Sequence, residues 1–439
     1  MGGIERRPRL MLKALSFAVI FFVTFGVLAA RISTPDLYDP PPGGDERDYE
    51  ALAYNLWKGR GFGYFWSDPE WRAPYLSVPS AAGAVRDLES TYYPTTYRPP
   101  AFPALWALTY HAAGRDFGTI RFVNAVLMAG AVTLAAAIAL EFSGLAAAFV
   151  AAAVLIQIPD ISVFARERLT EALATFLVAL LAWMWVRSST REPSVRSAAL
   201  SGAVLGLMIL ARSIFVIWLP AAMLMPAKPS WPGGTRRWVA RACCVGACLL
   251  VVAPWWTRNI ILTGAFLPTG TQGPINLTAG FSQRALDNEG RWRSNSGDGA
   301  KEIEDAGVDP YSVEYEVRLA RHRSALARDW MWNHPREVLQ LMGLHVWQEF
   351  RTRRARTDWT LLLPAFVLAL LYFHRHPGVR SVLLLFAATV LSIALTWGVT
   401  GRFVVPLQPL AAAMVSAMAV SILMYLTRVV RVNHRKDLQ

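Results

Sequence analysis

Apolar residues in this chain gather into long runs, and two long polar stretches separate those runs into groups. The runs are of the order of the 20 residues that an α-helix needs to cross the hydrocarbon of a bilayer. Ten spans are expected, at 10–31, 118–140, 144–160, 169–187, 197–212, 213–227, 238–257, 358–374, 380–399 and 403–427, with the short pair 197–212 and 213–227 the least regular. The pattern predicts an all-α polytopic membrane protein. The first run follows Glu5-Arg6-Arg7-Pro8-Arg9 as a signal peptide would, yet it is long and lacks a small-x-small cleavage site. It reads as a retained span.

The polar stretches, 32–117 and 258–357, divide the chain into a membrane core with a first loop (1–257), a large second loop (258–357), and C-terminal helices with a basic tail (358–439). If the N-terminus is cytoplasmic, the inside connections run from Arg187 to Arg196, Lys228 to Arg241 and Arg375 to Arg380, and the tail carries Arg428, Arg431, Arg435 and Lys436. That is the positive-inside pattern of a plasma or inner membrane protein, and it turns both long loops to the extracytoplasmic side. Arg351, Arg353, Arg354 and Arg356 stand against the rule, beside the eighth span on the outer side.

The loops carry elements of their own. In DERDYEALAYNLWKGRGFGY, Tyr49, Leu52, Ala53 and Leu56 recur at helical spacing along one face of a short surface helix. Residues Ala101 to Ala113 are apolar but too short to span, so an interfacial or re-entrant helix begun by Pro99 and Pro100 is expected. Residues 269–300, rich in Gly, Asn, Ser and Asp, read as loop, and 311–332 and 335–350 as two helices.

Composition changes this picture only by exclusion. A net charge of +13 would suit nucleic acid, but much of the basic charge lies in short loops and tails beside apolar spans, so the expected polyanion is the lipid surface. Cys243, Cys244 and Cys248 share one apolar run, which gives neither a disulfide framework nor a zinc site. A Walker A lysine, an HExxH pair and a GxSxG elbow are all absent, against an ATP-driven pump, a zincin and an α/β-hydrolase. Energy then comes from the substrate or a gradient.

Charged side chains collect near the outer ends of the spans: Arg98, Arg166, Arg168, Arg212, Arg258 and Arg402, with the acids Asp45, Glu46, Asp48, Asp160, Glu167 and Glu171. Arginine forks bind phosphate through paired hydrogen bonds, and a lipid-linked phosphate presents itself at this depth. Singly, each arginine also reads as snorkelling to headgroups. Asp45 reads either as a general base or as an N-cap with Asp48 three residues on, and Glu171 as a cap or a cavity residue. Trp255, Trp256, Trp292 and Trp347 suit sugar stacking or membrane anchoring.

Four segments then carry a resemblance: Asp45-Glu46 with Tyr49, Ala53, Asn55-Leu56 and Gly59; Arg98-Pro99-Pro100-Ala101-Phe102-Pro103; Pro254-Trp255-Trp256-Thr257-Arg258-Asn259 followed by Gly264, Pro268 and Gly273 to Leu277; and Arg402-Phe403-Val404-Val405-Pro406. Together they resemble the polyprenyl-phosphate-sugar-dependent glycosyltransferases of the GT-C superfamily, which include protein O-mannosyltransferases, lipid A aminoarabinose transferases and the RgtA/B/C/D-like group. The resemblance implies a GT-C helical bundle that moves a sugar from a polyprenyl-phosphate donor to a hydroxyl of a glycan, lipid or protein, with inversion and without a nucleotide. It implies Asp45 as catalytic base, with Glu46 and Asp48 as neighbouring candidates, and Arg258 as a donor-phosphate residue. Arg98, Arg402 and Arg212 are expected to share that phosphate, and Tyr49, Glu171, Asn259 and Asn276 to line the substrate cavity. No residue is assigned to a metal, and a divalent cation is left open. The chain lacks the C-terminal soluble domain of larger members, so acceptor recognition is expected from the two outer loops or a partner. A polysaccharide polymerase or O-antigen ligase, and a non-catalytic lipid or ion transporter, remain alternatives.

Overall fold

The computed structural model describes residues 6–33, 39–41, 43–190, 194–224, 234–293, 299–351, 357–398 and 401–436; Lys228, Arg353, Arg354 and Arg356 lie outside them. Its membrane part is a bundle around one long helix. That helix, α4 (Thr119–Gln157), packs against α1 (Arg6–Ile32), α6 (Glu171–Thr190) and α14 (Gln408–Lys436). The seam is built from small side chains, including Ala125, Ala129, Ala136, Ala147 and Ala151, all fully buried. Without water to drive apolar association, such residues let helix backbones approach closely. The pairing of α7 (Val195–Ala211) with α8 (Gly234–Thr263) uses the same device at Gly202 and Gly206, against which Cys244 and Cys248 pack.

Among the described residues five helices, not ten, are long and apolar enough to cross a membrane. The expected spans 118–140 and 144–160 are one element, α4, broken at Ser143 and Gly144; Gly144 has φ 80°, a left-handed conformation that glycine adopts without strain. Spans 197–212, 213–227, 358–374 and 380–399 fall on apolar helices of only 10–17 residues, among them α12 (Trp359–Tyr372) and α13 (Gly378–Ala394). Two of these stop where the chain turns irregular beside charged groups: α7 at the extended backbone of Arg212, and α13 ahead of Trp397 and Arg402. Irregular backbone is tolerated at membrane depth where it is buried in protein or lines a cavity.

Both polar segments fold at the same end of the bundle. In the first, α2 (Gly44–Trp57) and α3 (Ala101–Ala113) clasp an aromatic core of Tyr49, Tyr54, Trp71, Tyr75, Phe102, Trp106 and Tyr110. The expected face of α2 is the buried one, and α3 has the expected bounds, although its Phe102, Trp106 and Tyr110 are buried in the core shared with α2. Glu50 is fully buried in this core and accepts from Trp71 Nε1 (2.6 Å), Tyr110 Oη (2.9 Å), Tyr75 Oη (3.0 Å) and Arg115 Nε (3.0 Å). Four donors offset the cost of taking its charge out of water. A two-residue pairing of β1 (Gly63–Tyr64) with β2 (Tyr93–Pro94) closes the loop on itself.

The second segment corrects one expectation. Residues 269–300 are not simply loop, because α9 (Gln272–Gly280) and a turn of helix at Gln283–Asp287 form within them. Packing overrides the local composition: Ile275 is buried against Leu319 and Ala320 of α10 (Val313–Asn333), and Phe281 against Leu341 of α11 (Pro335–Phe350). Glu316 of α10 then joins the two segments, accepting from Thr95 Oγ1, from Thr96 N (3.1 Å) and from Thr271 Oγ1 (3.0 Å).

Candidate active site

Where the two outer segments meet the bundle, the helix ends enclose a cavity of about 1150 Å³. Its centre is Asp45, in the first turn of α2. Arg98 Nη2 donates to Asp45 Oδ1 at 2.7 Å and Arg402 Nη1 to Asp45 Oδ2 at 2.9 Å, so the carboxylate joins a residue of the first loop to one beyond α13. Burial works against its charge, but the Arg98 and Arg402 guanidiniums outweigh it and hold the carboxyl well below the usual carboxylate range. Each carboxylate oxygen has two acceptor sites, so Asp45 can still take a hydrogen bond from a ligand hydroxyl.

Arg402 is fixed from behind by Glu171, the first residue of α6, whose Oε1 accepts from Arg402 Nε at 2.6 Å and lies 3.6 Å from Arg212 Nη1. Glu171 is fully buried and does not line the cavity; it holds two arginines that do. Arg212 rests over the Phe403 ring at 4.7 Å. Arg166, the last residue of α5 (Pro159–Arg166), lines the cavity, is exposed, and has no ion pair among the described residues. Glu46 also lines it, with Oε1 accepting from the backbone N–H of Arg168 at 2.7 Å. Tyr49 lies beside Arg98, whose guanidinium sits 5.2 Å from its ring centre, and burial pushes the Tyr49 hydroxyl up to about 12.

Besides Glu171, three expected residues sit elsewhere. Asp48 accepts from the same Arg98 Nη2, at 2.7 Å, and is not at the cavity wall. Arg258 is likewise outside the wall: its Nη2 donates to the Phe62 carbonyl at 2.8 Å and its Nη1 to the Thr95 carbonyl at 3.0 Å, and its guanidinium stacks on Trp255. It pins the first loop to α8. Asn259 accepts from Arg258 and is buried beside it. Asn276 does reach the cavity, bonded through Nδ2 to Tyr97 Oη at 3.2 Å. Arg166 and Arg168 carry the span-end signal noted above, whereas Gln272 and Trp397, which also line the cavity, have no local signal because only the meeting of the two segments brings them there.

Five arginines and three carboxylates line the cavity, which favours an anion. Along one side the wall is apolar, formed by Val163, Leu169, Ile214, Val216 and Ile217. Among the described residues no three His, Cys, Asp or Glu side chains are grouped to hold a metal ion, and both oxygens of Asp45 already face arginines. The donor set does not fit a cation, and no step below uses one.

No protein-family model matches the chain, and no curated protein is similar to it by sequence. Solved structures are similar in fold. ArnT from Cupriavidus metallidurans bound to undecaprenyl phosphate matches 94% of this chain and 60% of its own, at 13% identity and a TM-score of 0.50. The archaeal oligosaccharyltransferase AglB from Archaeoglobus fulgidus, in complex with an inhibitory peptide and a dolichol-phosphate, matches 96% of this chain and 52% of its own, at 14% identity and a TM-score of 0.55. The apo form of the Archaeoglobus fulgidus oligosaccharyltransferase gives 14% identity, the same coverage and a TM-score of 0.54. The chain thus spans between half and three-fifths of the length of the structures it matches, and it shares their fold.

Proposed function

We propose that this chain is an integral membrane glycosyltransferase that moves a sugar from a polyprenyl-phosphate donor to a hydroxyl acceptor on the extracytoplasmic face of the plasma membrane. The observation that carries the reading is the composition of one cavity, lined both by Asp45, Arg98, Arg212 and Arg402 and by apolar residues of which Leu169, Ile214 and Val216 pack on the bundle core. A ligand that is both phosphate and hydrocarbon satisfies the two parts at once. Two structures of the same fold hold such ligands, undecaprenyl phosphate in ArnT and a dolichol-phosphate in AglB.

In the proposed step the acceptor oxygen attacks the anomeric carbon of the donor. The carbon–oxygen bond to phosphate breaks, its electron pair stays on the polyprenyl phosphate, and the hydroxyl proton passes to the Asp45 carboxylate. Attack opposite the leaving phosphate inverts the anomeric centre. The guanidiniums link the two events. A phosphate competing for Arg402 and Arg212 draws Arg402 away from Asp45 Oδ2, so the carboxylate gains proton affinity only when the donor is seated. Glu46 and Asp48 are the neighbouring carboxylates. In this reading residues 1–257, together with Arg402, carry the donor site, 258–357 the acceptor side, and the rest of 358–439 completes the bundle, with α4 crossing the membrane twice about its break at Gly144.

The test is transfer of radiolabelled sugar from a panel of polyprenyl-phosphate donors, in membranes carrying wild type or Asp45→Asn at matched expression. Wild-type transfer and a loss of about 10²–10⁴ in the variant are expected. Transfer kept by Asp45→Asn would remove Asp45 as the base, and a product with the donor's anomeric configuration would remove inversion.

A further inference from the structure

The cavity is chemically divided. Its charged residues belong to the first loop, to the turns around Arg166 and Arg212, and to Arg402; the lining at 269–277, 292, 324 and 396–397 carries no charge. At that uncharged end stands Trp292. An isolated parallel bridge between Arg291 and Gly398, with Trp292 N donating to the Gly398 carbonyl at 3.0 Å, holds its backbone against the residue that follows Trp397. Trp292 Nε1 donates to Asn276 Oδ1 at 3.3 Å, and Asn276 in turn donates to the Tyr97 hydroxyl, whose ring lies 4.9 Å from the Arg98 guanidinium.

With its N–H committed to Asn276, the 42% of Trp292 that stays exposed is mainly ring carbon. Exposure alone does not single it out, because Trp332 at 88% and Trp347 at 61% are more open, but those two do not line the cavity and suit membrane anchoring. From Trp397 the aromatic wall continues to Phe403 at 6.4 Å and so to Arg212. Uncharged amides beside an open indole face are the chemistry that takes a sugar ring, its C–H face on the aromatic surface and its hydroxyls on the amides.

We propose that this end is the acceptor site and that the acceptor is a neutral glycan, bound by stacking a pyranose ring on Trp292 with the Gln272 amide and the remaining acceptor site of Asn276 Oδ1 reading its hydroxyls. The inference rests on the glycosyltransferase reading and deepens it by naming the acceptor class. The acceptor hydroxyl becomes the glycosidic oxygen, the donor phosphate leaves with the bonding electron pair, and the proton goes to Asp45. Trp292 touches no reacting atom and acts on specificity.

Two measurements on the purified full chain test it. Intrinsic tryptophan fluorescence is titrated with mannobiose, galactobiose and cellobiose, and with a serine- and threonine-containing hexapeptide. At least one disaccharide is expected to change the emission saturably, with affinity about tenfold weaker in Trp292→Ala and largely restored in Trp292→Phe. In transfer assays Trp292→Ala raises the KM for the glycan acceptor by the same factor while the donor KM stays put. Binding of the peptide alone, no disaccharide binding, or equal affinity in Trp292→Ala overturns the inference. The two readings fail separately: a donor consumed only with peptide acceptors leaves the transferase and removes the glycan, whereas a donor never consumed removes the transferase and leaves the titration to decide the glycan site.

Discussion

In the proposed step the base is a carboxylate held between two arginines. Asp45 keeps its charge because Arg98 and Arg402 surround it, and Arg402 keeps its position because Glu171 is buried behind it. Glu171→Gln, which keeps the shape and removes the charge, is therefore expected to raise the donor KM several-fold more than it lowers kcat, and steady-state kinetics in both substrates measures the split. The pH dependence follows from Asp45. Its folded value lies below the ordinary 3.8, so the ion pairs contribute stability that is complete above that value and lost as pH falls toward the folded one. Arg402→Gln should unfold at a lower temperature than wild type at pH 7, with the gap closing below pH 3.8; a gap independent of pH would refute the coupling. Asp45, Arg98, Arg212 and Arg402 were legible in the sequence because charge beside an apolar run is costly without a purpose. Arg258 misled for the same reason: its position is just as suggestive, but two backbone carbonyls use its fork.

At the scale of elements, packing decides what composition leaves undecided. Gly202 faces the backbone of α8 so closely that an added Cβ would lie 1.9 Å from the Cys244 carbonyl oxygen, and one on Gly206 would lie 2.7 Å from Val251 Cβ. Gly202→Val should cost about 1–3 kcal/mol or more, read as a lower unfolding temperature and reduced yield in detergent, because the obstacle is backbone and cannot turn aside. The joint between the outer segments makes a different prediction. Burial raises the Glu316 carboxyl above its usual range, so its contribution to stability is lost as pH rises through the folded value. Glu316→Gln should hold or gain stability relative to wild type toward pH 8, whereas Glu316→Ala, which strands the Thr96 N–H, should lose about 1–3 kcal/mol across the range. Neither joint was legible: the glycines lie four apart in a run that reads simply as apolar, and Glu316 lies on a helix with charge on most sides.

Across the whole molecule the apolar runs did locate the helices, since each expected span falls on one, but run length overstated helix length wherever the chain breaks to build the site. Sidedness follows from the same geometry. The cavity lies at the end where α4 begins, and the break in α4 lies roughly 35 Å away at 1.5 Å per residue, where Phe142 packs on Phe373 and His376 and Ser143 bonds Ser421. Ser80 and Ala306 are exposed on the two outer segments, and His374 is exposed at the far end. Cysteines introduced at 80, 306 and 374 in a Cys243→Ser background thus report both faces, with that background as the blank, because Cys243 is half-buried whereas Cys244 and Cys248 are buried. In intact spheroplasts a membrane-impermeant maleimide is expected to label Ser80→Cys and Ala306→Cys, and His374→Cys only after permeabilisation. Labelling of all three from outside would mean that the chain between α12 and α13 does not return to the cytoplasm, and the short helices would have to be read as lying within one leaflet. Labelling of His374→Cys alone would turn the cavity to the cytoplasm, where a donor displayed on the outer face could not reach Asp45.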